Sequence, residues 1–160
     1  MRVNVICRNW QDDRVLPRFA RYLADVLGWS LTPAPVPADV HYLMGYFETQ
    51  VCPTWPAGPV ASLFTHREEE PPGNSKALLY DEISRRVDLR VAMCRLYAAP
   101  LSAIGPTLQP PLPLERDRFV IDAWSRRRRP LAGLSGYTYR TRRKGDDLAR
   151  RLVRATAGRV

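Results

Sequence analysis

Five short apolar runs, residues 3–7, 29–32, 40–44, 60–65 and 89–94, alternate with longer polar or amphipathic stretches. This alternation constrains the fold more than any other feature. Runs of four to six residues are too short for buried helices and suit strands buried on both faces. Helices between strands require crossover connections, and such connections build a parallel sheet with right-handed turns. The reading is therefore α/β: a parallel sheet of about five strands flanked by helices.

The intervening stretches carry helix signals. After the first strand, Asp12 or Asp13 is expected to cap a helix. Pro17 falls in its first turn, where a missing N–H costs little. Leu16, Phe19, Leu23, Val26 and Leu27 share one face, and Gly28 ends it. The segment PAPVP, residues 33–37, reads as a stiff connector. A second helix is expected over 75–87, capped by Asn74 or Ser75, with Asp81 and Glu82 each four residues ahead of an Arg. The run RLYAAPLSAIG reads as a third helix that Pro100 kinks or starts.

Composition changes at residue 106. GPTLQPPLPLERD holds four Pro, too many for a packed element, and reads as a linker. Beyond it, SRRRRP is a charged break. Residues 131–134 and 146–156 suit a last strand and helix. The expected organisation is a domain over 1–105, a Pro/Arg-rich linker over 106–130, and the truncated start of another domain over 131–160.

A chain of 160 residues buries about 70% of its unfolded surface, so no covalent staple is needed. The three Cys are odd in number and lack metal-ligand spacing, which points to reduced thiols and a cytoplasmic setting. No metal site and no cofactor are expected. The net charge is +9, and 23 of the 25 basic residues are Arg. Genome composition accounts for such a balance as well as anionic partners do.

In parallel sheets the chemistry gathers at the carboxyl ends of the strands. The loops that meet this description are 8–13, 45–50, 66–73 and 136–145. His66 leaves the fourth strand directly and is suited to hydrogen-bond a ligand hydroxyl or move a proton. An equally simple role is to satisfy a nearby backbone group. His41, inside a strand, reads as structural. Glu68–Glu70 reads as a solvated acidic loop. In GLSGYTYRTRRKGDDLARRL, residues 133–152, Arg140 and Lys144 precede a helix N-terminus, which suits an anion. No Walker or dinucleotide-binding glycine motif is present. Tyr137 and Tyr139 among Arg residues would also suit single-stranded nucleic acid, although no other nucleic-acid signature appears. The SRRRRP run would suit anionic lipid, each basic residue contributing about 1 kcal/mol near such a surface. A solvated basic loop remains as good a reading of the turn.

Two stretches carry a family resemblance. SLFTHREEEPPGNSKALLYDEISRRVDLRVAMCRLYA is similar to the N-terminal half of retaining glycosyltransferases of the GT-B fold, the group-1 (glycogen-synthase-like) family. LAGLSGYTYRTRRKGDDLARRL resembles the start of that family's C-terminal domain, where the pattern is V-G-x-S-G-R…RKG…L. The resemblance implies a Rossmann-like N-terminal, acceptor-side domain with a strand–helix tail that opens the donor-side domain. It implies that His66 is catalytic and faces the donor sugar. Lys144, with Arg140, would bind the donor phosphates. Arg8, Asn9 and Gln11 would border the acceptor. The family's Arg after S-G falls at Tyr137, and its E-x7-E motif is missing. No Asp-x-Asp pair is present, in keeping with metal-independent transfer.

The resemblance thus implies an incomplete half of an enzyme that moves a sugar from a nucleotide sugar with retention, inactive alone. A homodimer by tail exchange, or a hetero-partner with the second domain, would complete it. Two other readings stay open: a basic binding module for nucleic acid or anionic lipid, peripheral at the membrane, and a structural subunit of a split glycosyltransferase. Nucleic acid is the least expected partner.

Overall fold

A computed structural model describes residues 1–67 and 71–110, and beyond these only Arg151 and Arg154, both helical and exposed. The chain divides into two compact units, Met1–Arg118 and Phe119–Val160. The elements of the first are β1 (Val3–Ile6), α1 (Val15–Leu27), β2 (Ser30–Thr32), β3 (Val40–Leu43), a 3-10 segment (Tyr46–Val51), β4 (Val60–Phe64), α2 (Ser75–Arg86), β5 (Leu89–Ala92), α3 (Arg95–Ser102) and β6 (Thr107–Leu108). The strands form one sheet in the order β2-β1-β3-β4-β5-β6, and every pair is parallel. The fold is α/β and Rossmann-like.

Burial on both faces explains the unbroken apolar strands. All four residues of β1 and all five of β4 are buried. One face sets Ile6, Leu43, Val60, Phe64 and Ala92 against Tyr80, Ile83 and Val87 from α2 and its cap, and Leu101 from α3. The other sets Val5, Cys7, Met44, Leu63 and Val91 against Phe19 and Ala20 of α1. This second face carries an apolar groove of 360 Å³ lined by residues such as Tyr42, Leu63, Leu89, Val91 and Leu108. Among the described residues, no helix is long and apolar enough to cross a membrane.

Several local expectations change. The sheet has six strands rather than about five. The sixth, Thr107–Leu108, lies inside the stretch read as linker and pairs with β5 through Arg90↔Thr107 and Val91↔Leu108. The N-cap of α1 is Arg14, without a side-chain cap; Asp12 instead pairs with the Arg14 guanidinium. The buried face of α1 is Pro17, Phe19, Ala20 and Ala24, whereas Val26 and Leu27 are exposed. Small alanines let the helix approach the sheet, and the bulkier pair is turned outward.

Gly28 ends α1 as expected, in the left-handed region at φ 64°. Pro100 lies within α3 rather than at its start. Asp81 does not lean on Arg85 alone. It forms a two-pronged ion pair with Arg67, Nε to Oδ1 at 2.8 Å and Nη2 to Oδ2 at 2.7 Å. Those charge-assisted bonds hold its carboxyl below the usual range. Arg86 stacks its guanidinium 3.9 Å from the Trp55 ring centre. The expected strand–helix tail over 131–160 falls outside the described residues, apart from the two Arg named above.

The start of α2 follows the sequence reading. Asn74 Oδ1 accepts from the Ala77 N–H at 2.9 Å, satisfying one free donor of the first turn. Asn74→Ala is expected to lower stability by about 1 kcal/mol, measured by urea unfolding with an unchanged m-value.

Candidate functional site at the carboxyl rim of the sheet

The strand order reverses direction between β1 and β3. The chain leaves β1 through α1 toward β2, and leaves β3 toward β4 on the opposite side. The two exits diverge, and such a switch point is where open α/β sheets bind their ligands. Three exits meet at or beside it: residues 7–13 after β1, 44–50 after β3, and 65–67 after β4.

The β1 exit is a rigid turn. Trp10 N–H donates to Cys7 C=O at 3.2 Å, and Asp12 N–H to Asn9 C=O at 2.9 Å. Arg21 reaches back from α1 and donates from Nη1 to the carbonyls of Trp10 and Asp12, the latter at 2.8 Å. A cation thus replaces the missing N–H partners of these carbonyls. With the turn held, the side chains of Arg8, Asn9 and Gln11 face solvent. Cys7 beneath them is buried, and burial pushes its thiol up to about 11. At neutral pH it is a packed thiol rather than a nucleophile.

The β3 exit is held by aromatic rings. Met44 N–H donates to Ile6 C=O at 3.0 Å, and the chain then turns at Gly45 into the 3-10 segment. The Phe47 ring folds over Gly45 so closely that a Cβ there would lie 2.5 Å from it. Tyr46 stacks on Phe64 and meets Tyr80 edge-on. This anchoring turns Glu48 inward. Its residue surface is only 4% exposed, and its Oε2 accepts from the Arg8 N–H at 2.9 Å. A side chain from one exit therefore clasps the backbone of the other, across the switch point. Burial raises the Glu48 carboxyl above its ordinary value, against the opposing pull of Arg8.

The β4 exit places His66 on the rim, exposed, two residues beyond the strand. Arg67 beside it is fixed by Asp81 of α2, so the stem of this loop is anchored where His66 begins. His41, in contrast, is buried within β3, as the sequence reading had it. Asn4, next to it in register, spans the amino half of the sheet, with Nδ2 donating to Thr32 Oγ1 at 2.8 Å and Oδ1 accepting from Val36 N–H at 3.2 Å. It ties the PAPVP connector down.

The rim thus brings together Arg8, Asn9, Gln11 and Glu48, with His66 at the exit of the next strand. Lys144 and Arg140 lie outside the described residues, as do Glu68–Glu70. Among the described residues, no three His, Cys, Asp or Glu side chains gather as a metal site. Glu48 escapes a sequence reading that isolates only its loop. The available signal is a lone acid in the otherwise neutral, aromatic run GYFETQ. Chemically, the rim offers one buried carboxylate, an imidazole and exposed amide and guanidinium groups, which can bond hydroxyl-bearing ligands. No family model, no curated protein and no solved structure matches the chain.

Proposed function

We propose that residues 1–160 carry the acceptor-side half of a nucleotide-sugar glycosyltransferase and the opening of its donor-side lobe. The observation that carries this reading is the rim itself: His66 leaves β4 beside the β1–β3 switch point, with Arg8, Asn9 and Gln11 on the exit across it. The sequence resemblance asks for a His at a strand exit and an acceptor-bordering loop on the first strand, both in a parallel sheet. The reaction is sugar transfer with retention of configuration. His66 serves the donor sugar, and Lys144 and Arg140 hold the donor phosphates. Turnover requires the wall that carries E-x7-E, because positioning and charge stabilisation both depend on it. A partner chain or further sequence supplies that wall.

The test is calorimetric titration of the full chain with uridine and guanosine diphosphates. Saturable binding is expected, weakened about 10- to 100-fold by Lys144→Ala, the effect of losing a charge-assisted contact. A different outcome would favour a basic binding module. It is tight binding of oligonucleotides or anionic vesicles with a steep salt dependence and no preference for diphosphates. That result would overturn the glycosyltransferase reading.

A further inference from the structure

Glu48 does more than its structural task demands. One carboxylate oxygen accepts the Arg8 N–H. The other, Oε1, takes no hydrogen bond from a described residue, yet it is not a fully sealed atom. A residue 96% withdrawn from solvent therefore keeps one carboxylate oxygen without a partner among the described residues. Clasping Arg8 needs only a neutral acceptor, which Gln would provide at lower cost. A buried charge is costly unless something else uses it.

We propose that Glu48 is a ligand-binding residue whose free Oε1 accepts a hydrogen bond from a hydroxyl of a neutral polyhydroxylated ligand, a sugar or sugar-like polyol, seated between the β1 and β3 exits. Several observations favour a neutral hydroxyl over a cation. Among the described residues, no three His, Cys, Asp or Glu side chains gather at Glu48 to hold a cation. Arg8, whose charge already acts on Glu48, repels a cationic ligand. The exposed neighbours Asn9 and Gln11 can bond hydroxyls as donors or acceptors. Within the glycosyltransferase reading, on which this inference rests for its biological meaning, the ligand is the acceptor.

The charge on Glu48 has a measurable signature. The charged and titratable groups facing it are the Arg8 guanidinium and the thiols of Cys7 and Cys52. Burial outweighs Arg8 and raises the carboxyl in the folded state. A raised acid favours folding while protonated, below its ordinary value of 4.5, and that contribution is lost as pH rises through the folded value. Glu48→Gln removes the burial penalty and keeps the clasp on Arg8.

The experiment uses the full chain, Glu48→Gln and Glu48→Ala. Thermal unfolding at pH 7 should show Glu48→Gln raising Tm by about 2–4 °C. That gain should vanish below pH 4.5, and Glu48→Ala should lower Tm. Backbone ¹⁵N spectra are then recorded with three probes: methyl α-glucoside, methyl α-mannoside and methyl β-galactoside. At least one should shift the Arg8 and Glu48 amides saturably, and Glu48→Gln should weaken it 10-fold or more, because its amide presents a donor where the carboxylate presented an acceptor. The inference is overturned if none of the three glycosides moves these amides. It is also overturned if Glu48→Gln loses as much Tm as Glu48→Ala, which would make the carboxylate purely structural. Diphosphate binding by the unaltered chain with none of the three glycosides bound sinks this inference alone. The reverse pattern sinks the glycosyltransferase reading and leaves the polyol site standing.

Discussion

Phe64→Ala is expected to destabilise the protein by about 3–5 kcal/mol, read as a fall in the urea midpoint at constant m. Phe64 ends β4 and has no exposed surface. Its ring lies 6.0 Å from Tyr46, nearly parallel, and 5.0 Å from Tyr80, edge-on. Tyr46 also meets Phe47 at 5.5 Å. Four rings from β4, α2 and the β3 exit thus form one cluster, and offset or edge-to-face contacts add to their area term. Removing the Phe64 ring leaves a cavity the rigid sheet cannot close. The second consequence is functional. Tyr46 is two residues from Glu48, so loosening its stack frees the segment that clasps Arg8. Glycoside binding should therefore fall along with stability. Phe64→Leu, which refills much of the volume, should recover most of both. An alanine variant that loses less than about 1 kcal/mol would mean that the aromatic cluster does not anchor the crevice.

The strands were legible because a parallel sheet covered on both faces needs nearly continuous apolar runs. Val60–Phe64 is such a run, and every one of its residues is buried. Thr107–Leu108 was not legible. Two residues between prolines carry no periodicity, and their pairing is decided by the edge that β5 offers. Charges depart from the sequence reading wherever an arginine offers a better partner than the expected one. Asp12 is drawn to Arg14 and away from the helix end, and Asp81 to Arg67 from fourteen residues earlier. In both cases the planar guanidinium fork offers a carboxylate two donors at once, which a single backbone N–H or a lone i,i+4 contact does not. The site was legible as loops, since strand ends follow from strand order. Its key carboxylate was not. Glu48 is buried where the Arg8 backbone arrives from another strand, which no local window contains.

Arg90→Ala is expected to cost about 2–4 kcal/mol, combining lost packing with the loss of a charge-assisted hydrogen bond. Arg90 is a buried charge in the middle of β5. Burial lowers its affinity for the proton, but its guanidinium is well engaged. Nε donates to Ser84 C=O at 2.6 Å, one of the last carbonyls of α2, which has no intrahelical partner. A cation there also complements the negative end of the helix dipole. The contact joins α2 to the strand that follows it, closing the β4–α2–β5 crossover from inside. Gly105 makes room for it: a Cβ at that position would lie 2.6 Å from Arg90 Nη1. Gly105→Ala should therefore push the guanidinium off Ser84 and reproduce part of the same loss. The decisive measurement is a double-mutant cycle. If the two residues act through one contact, Gly105→Ala should be nearly harmless once Arg90 is already Ala, with a coupling of about 1 kcal/mol or more between them. Strict additivity would show that the glycine is required for some other reason, and that the α2 carbonyl is not where Arg90 acts.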